Sequence, residues 1–438
     1  MKFLMLPLFF AVSCSTCLGA DDHWPQWRGP LATGEAPNAN PPTEWSPTKN
    51  IKWKAKLPGR GHSTPIVWKD HIFLTSAIPF GKKLKPRYSG APGAHDNLPI
   101  TRRHRFVVIC LNRKDGKIRW QKTMHEALPH EGGHHTASLA SASPVTDGKL
   151  VFAFFGSYGL YCLDFEGNLK WKKQTGKLNT KHGHGEGSSP VLHDGTLIVN
   201  QDHEGQSFIV ALEKTTGKQI WRKKRDEVTS WSTPIVVSEG KKDYAIVPGT
   251  KRIRAYDLKS GTIQWECGGL SANIVASPVA GHGMVFLGSS YERRAFLAIR
   301  LAGAKGDITN KRNVVWKRGG ATPYVPSPLL YKGSLYFLRH YQGVLVRADA
   351  KTGEDQGGPF RLVGIRNVYA SPVAAAGRVY LTDRDGVTLV LSHGGKTPKI
   401  LAVNRLGDNV NASAAVVGNE MYLRGDQLLY CIAKEKPE

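Results

Sequence analysis

Histidines crowd one stretch of this chain: His130, His134, His135, His182, His184 and His203. Neutral imidazoles beside carboxylates suit divalent zinc, iron or manganese. The candidate metal ligands are therefore His182, His184, Glu186, Asp202, His203 and Glu204. The spacing His182-x-His184 is compatible with a metal. The same groups would equally form a polar, hydrogen-bonded rim. A second set is basic and aromatic: Arg60, His62, Trp231, Arg293, Tyr324, Arg339, Tyr341, Arg366 and Tyr369. Guanidinium forks grip carboxylate or sulfate, and flat rings stack on sugars. The bland alternative is a set of solvated loop residues in a basic protein. The sequence holds no nucleophilic Ser-His-Asp order, phosphate-binding glycine loop or nucleotide fingerprint.

The elements that must position these residues repeat. Between Gly187 and Trp221, runs of Val, Ile, Leu and Phe alternate with Gly- and Asp-bearing turns. This reads as four short antiparallel strands. A Ser/Thr-Pro mark recurs with prolines at 65, 144, 190, 234, 278, 328 and 372, and an eighth copy, Ala412-Ser413-Ala414, lacks the proline. Successive spacings are 79, 46, 44, 44, 50, 44 and 42 residues. Such a period, with four strands per copy, predicts an all-β, eight-bladed β-propeller. The residue before each proline position is always Ser or Thr, as expected where innermost strands crowd the axis.

A glycine four residues before a tryptophan marks the outer hairpins: Gly116-Trp120, Gly167-Trp171, Gly217-Trp221 and Gly261-Trp265. Glycine takes the positive φ of the turn, and tryptophan wedges blade against blade. Blades six and seven lack the tryptophan and are expected to dock less tightly. The last blade is one strand short, and Asn50 to Leu57 matches the missing outer strand, so an N-terminal strand should close the ring. The propeller thus spans 50–438. An extended segment at 21–49 precedes it, and a Lys- and Arg-rich insertion at about 78–105 is expected to be a mobile loop. In this fold the loops before each Ser-Pro, and those between second and third strands, gather at one channel mouth. Both sets of candidate residues lie on them.

The first residues read as an export signal over 1–20: a basic start, a short apolar run and small residues ending Gly19-Ala20. A lipidated Cys14 is the alternative. The apolar run is too short to cross a membrane, and no later segment is a transmembrane candidate. The formal charge of +25 favours anionic partners, and export argues against nucleic acid. Cys110, Cys162, Cys267 and Cys431 are expected to be buried free thiols.

The pattern Ala-x-Asp/Glu-x-x-Thr-Gly-x-x-x-Trp, at Ala211 to Trp221 and Ala255 to Trp265, resembles the pyrroloquinoline quinone (PQQ) repeat. That repeat builds quinoprotein dehydrogenases and a non-catalytic outer-membrane assembly lipoprotein. With Trp24 to Pro30 at its start, the chain looks like secreted planctomycete-type PQQ-like propellers. The enzymatic branch implies PQQ, a divalent metal and a vicinal cysteine pair. This chain has no Cys-Cys pair and no Cys-x-x-Cys-His haem motif. The resemblance therefore implies a monomeric, exported binding or scaffolding module of the periplasm or cell surface. Its partner would be an anionic glycan, another cell-envelope component or a protein. The alternatives are a PQQ-dependent oxidoreductase and a metal-dependent or glycan-acting enzyme at the histidine-rich mouth.

Overall fold

A computed structural model describes residues 23–434. The signal-peptide reading of 1–20, with Cys14, lies outside the described residues. Eight sheets of four or five strands form the blades of an all-β propeller. In blade 3 the strands run Val191–His193, Thr196–Gln201, Phe208–Glu213 and Gln219–Lys224, from the axis outwards. Alternation along the middle strands buries both faces, each against a neighbouring blade. The N-terminal strand Ile51–Lys56 pairs antiparallel with Leu428–Ala433 and supplies the outer strand of blade 8. The two ends of the chain thus close one sheet and leave no open edge at the join.

The Ser/Thr ring is a hydrogen-bonded device as well as a small-residue one. Each backbone N–H donates to the hydroxyl of its equivalent in the next blade: Thr64 to Ser143, Ser143 to Ser189, Ser189 to Thr233 and Thr233 to Ser277. Ser277, Ser327 and Ser371 continue the series to Ser413. The join between blades 8 and 1 is bridged by Arg424, which donates to Ser63 Oγ at 2.6 Å and to the Thr75 carbonyl at 2.9 Å.

The tryptophans dock across blades. Trp171 Nε1 donates to the Lys214 carbonyl of the next blade, and its ring lies on Gly217. Trp53, Trp120, Trp221 and Trp316 repeat the arrangement on Gly116, Gly167, Gly261 and Gly353. Glycine is required twice over: φ is +67° at Gly217, and an added Cβ would lie 2.7 Å from the Trp171 ring. Gly217→Ala is expected to cost about 2–4 kcal/mol in urea melts. Gly195→Ala, in open space at the inner hairpin of the same blade, should change stability by less than about 0.5 kcal/mol. Between blades 6 and 7 a buried arginine stands in for the missing wedge. Arg347 donates to the Gly394, Gly395 and Gln356 carbonyls at 2.9, 2.6 and 2.7 Å.

The segment before the first blade plugs the channel. His23–Trp24 extends the inner edge of blade 1, and the Thr146 N–H of blade 2 donates to the Pro25 carbonyl. The chain then crosses the axis. Arg28, buried, donates to the Pro328 and Pro372 carbonyls of blades 6 and 7 at 2.9 and 2.7 Å. Trp27 is thereby held across the end of the channel.

The insertion departs from the mobile loop expected of its composition. It lengthens two strands of blade 1, to His71–Phe80 and Arg103–Asn112, and its remainder docks on the histidine-rich loops. The Leu98 N–H donates to the Gly133 carbonyl and His135 N–H to the Asp96 carbonyl. Asn97 Nδ2 donates to the His182 carbonyl at 2.7 Å. Backbone partners, invisible to a count of Pro, Gly and Lys, hold it in place.

Candidate functional site

The channel is a cup of about 650 Å³, open at one mouth and floored by Trp27. Its wall divides into two arcs. Blades 1 to 3 and the insertion supply His62, His95, His134, His135, His182 and His184. Blades 5 to 7 supply rings. Tyr324 stacks between Tyr291 and His340, with centroids 5.7 and 4.4 Å away, and Tyr341 meets Tyr369 edge-on. Arg384 lies over Tyr369, 4.9 Å from its centroid, and its Nε donates to Asn411 Oδ1 at 3.0 Å. Trp231 joins the arcs by donating Nε1–H to the Gly185 carbonyl at 2.6 Å.

Of the basic and aromatic candidates, His62, Trp231, Tyr324, Tyr341 and Tyr369 line the cup. The arginines do not. Arg293 reaches back to the Leu270 carbonyl, Arg339 and Arg366 are exposed on their loops, and Arg60 lies 4.0 Å from Asp426 beside a separate groove. The guanidinium on the wall is Arg384, in the turn between second and third strands of blade 7. That turn is the counterpart of Asp202 to Gln206 in blade 3, which was the available signal. His95 and Asp96 were hidden in the insertion.

The metal candidates separate. His182 and His184 face the rim with His95, at centroid distances of 4.9 and 4.8 Å from it. Burial and the neighbouring imidazoles push His184 down to about 4, so it is neutral at pH 7. Glu186 lines both the cup and a side pocket, and its carboxyl is engaged by Ser157, which donates through N–H at 2.7 Å and Oγ–H at 2.6 Å. Burial pushes its carboxyl up to about 8, and Glu131 adds to the rise. Asp202 is bound bidentately by Arg225 at 2.7 and 3.1 Å, with both side chains fully buried. Glu204 accepts from the Thr229 N–H and hydroxyl, and His203 Nδ1 accepts from the Gly205 N–H at 3.1 Å. The structure therefore does not bring Glu186, Asp202, His203 or Glu204 to the two rim histidines. Among the described residues, three ligand atoms within 4.8 Å of one another occur at His193, Asp194 and Asp243, at the inner hairpins away from the mouth. The four cysteines are buried and unpaired inside the blades, and none lines the cup.

No described helix is long and apolar enough to cross a membrane. No curated protein matches the sequence significantly. Among solved structures the chain is similar to BamB from Moraxella catarrhalis: 14% identity, TM-score 0.54, covering 82% of this chain and 98% of that one. It is similar to a europium-containing methanol dehydrogenase at 12% identity and TM-score 0.61, covering 92% and 89%. A third is quinohemoprotein alcohol dehydrogenase ADHIIG from Pseudomonas putida HK5, at 12% identity and TM-score 0.57, covering 95% and 82%. At such identities the likeness is one of fold. The blade repeats themselves match, over residues 104–356, the family model described as outer membrane protein assembly factor BamB, and to that PQQ-repeat propeller family the chain belongs.

Proposed function

We propose that this propeller is an exported, monomeric binding module of the cell envelope, taking an anionic group of an envelope component into the cup. The observation that carries this reading is the cup's construction. One end is plugged, and the open end presents stacked rings, imidazoles and a guanidinium preset by Asn411. Flat rings and an oriented Arg fork suit uronic or sulfated sugar better than an apolar ligand. The excess of 60 Lys and Arg over 35 Asp and Glu would draw such a ligand in. Membership of an assembly-factor family supports binding over catalysis, and an acidic stretch of a partner protein would present the same chemistry.

PQQ, which the repeat family brings to mind, does not fit these residues. The carboxylates on the cup wall are Asp96 and Glu186, and Glu186 is committed to Ser157. That leaves one carboxylate for a metal beside a quinone, and one guanidinium, Arg384, for the acid groups of PQQ. A thermal-shift screen tests the reading, with uronic and sulfated oligosaccharides, an acidic peptide, and PQQ with Ca²⁺. A saturable rise in Tm with the glycans is expected. Saturable binding of PQQ with dye-linked alcohol oxidation would replace this reading with the oxidoreductase.

A further inference from the structure

The insertion of blade 1 carries a combination that neither the propeller nor the cup explains. Residues 84–88 run antiparallel to 97–101. The Leu84 N–H donates to the Thr101 carbonyl at 2.8 Å, and Arg87 and Ile100 exchange backbone bonds at 3.1 and 2.8 Å. The hairpin is thus held by its own backbone, yet it leaves large apolar side chains in water. Leu84 is 43% exposed, Tyr88 69% and Leu98 40%. Single exposed apolar residues are ordinary on a protein surface, but three on one short hairpin mark a contact surface.

Cations flank them in the chain. Lys82, Lys83, Lys85, Arg87, Arg102 and Arg103 are all exposed, and the one acidic residue between 78 and 105 is Asp96. The same insertion walls the groove of about 320 Å³ that lies apart from the cup. Its sides include Pro79, Leu98, Pro99, Ile100 and Leu139, and Arg60 and Arg102 line it as well. An apolar slot with guanidinium groups beside it suits a molecule that is part hydrocarbon and part anion. A soluble acidic glycan would use the cations and leave Leu84, Tyr88 and the slot unused. An anionic lipid uses all three. Lys and Arg stems lie along apolar surface while their heads meet phosphate, and a tyrosine ring settles at headgroup level.

We propose that this insertion is a membrane-surface contact that binds anionic phospholipid, with phosphate on its Lys and Arg side chains and an acyl chain in the groove. The hairpin lies in the interface and does not span it. Asn97 ties the insertion to the His182 carbonyl at the rim, so the contact sets the mouth of the cup beside the headgroups. The inference rests on the insertion alone and holds whatever enters the cup.

The test is sedimentation of the exported form, residues 21–438, with vesicles of phosphatidylcholine alone and of phosphatidylcholine and phosphatidylglycerol in equal parts. Wild type is expected to bind the mixed vesicles at least about tenfold more tightly than the neutral ones. Leu84→Ser with Tyr88→Ser, and Lys82→Gln with Lys83→Gln and Lys85→Gln, should each weaken that binding about fivefold or more. Two controls remove matching groups elsewhere. Ile400→Ser with Leu401→Ser strips exposed apolar side chains from the outer strand of blade 7. Lys218→Gln with Lys241→Gln and Lys259→Gln removes the same charge from exposed positions on blades 3 and 4. Both controls should bind like wild type. Should the Leu84 and Tyr88 pair fail to fold, Tyr88→Ser alone takes its place. No preference for anionic vesicles, or equal losses in the controls, would overturn the proposal. Loss in the lysine variant with none in the apolar one would assign the patch to a soluble polyanion and overturn the lipid.

Discussion

Arg225→Met should destabilise the propeller by about 3–5 kcal/mol, measured as a drop in the urea midpoint at unchanged slope. Arg225 and Asp202 are fully buried and joined by two short contacts, and Arg225 Nη1 also donates to Tyr256 Oη at 2.8 Å. Removing the guanidinium strands a carboxylate away from water. The double variant Asp202→Leu/Arg225→Met removes both charges and should recover most of the loss, because the desolvated pair contributes little net stability over apolar packing. Equal losses in single and double variants would show that Asp202 is not held by Arg225 in solution. The cycle also assigns Asp202: a carboxylate needed for this pair is not free to ligate a metal.

Glu186→Gln should make the protein's stability less dependent on pH between about 4.5 and 8. Burial raises the Glu186 carboxyl from its ordinary value of 4.5 to about 8. The folded chain therefore holds a proton there that the unfolded chain releases. Stability from that proton is fully present below pH 4.5 and is lost as pH rises through the folded value. The loss across this window is on the order of 5 kcal/mol. A glutamine, neutral at every pH, should keep Tm nearly level where wild type declines. It should also stabilise at pH 8 relative to wild type. Parallel wild-type and variant curves would mean that Glu186 ionises normally. Gly156 sets the fit, since an added Cβ there would fall 1.1 Å from Glu186 Oε2.

The blades were legible in the sequence because each repeat answers one local demand: a small hydroxyl residue at the axis, a glycine at the turn, a tryptophan at the seam. That Ser277 accepts from the Thr233 N–H, or that Trp171 of one blade seeks Gly217 of the next, needed three dimensions. The site was legible in part for the same reason. Loop positions follow from the repeat, so His182, His184, Trp231 and Tyr324 were placed at the mouth. Side-chain direction does not follow from it. Asp202 turns into the protein towards Arg225, Glu186 is engaged by Ser157, and Arg293, Arg339 and Arg366 stay off the wall. His95 was missed because the insertion breaks the repeat.

The most direct test of the cup as the binding surface is calorimetric titration of a uronic-acid hexasaccharide into wild type, Arg384→Met and Lys241→Met. The last two remove the same charge. Arg384 is on the cup wall, and Lys241 is exposed on the inner hairpin of blade 4, away from the mouth. Specific binding in the cup predicts at least a tenfold loss of affinity in Arg384→Met, about 1.4 kcal/mol, and none in Lys241→Met. Equal effects of the two substitutions, or none from Arg384→Met, would contradict it.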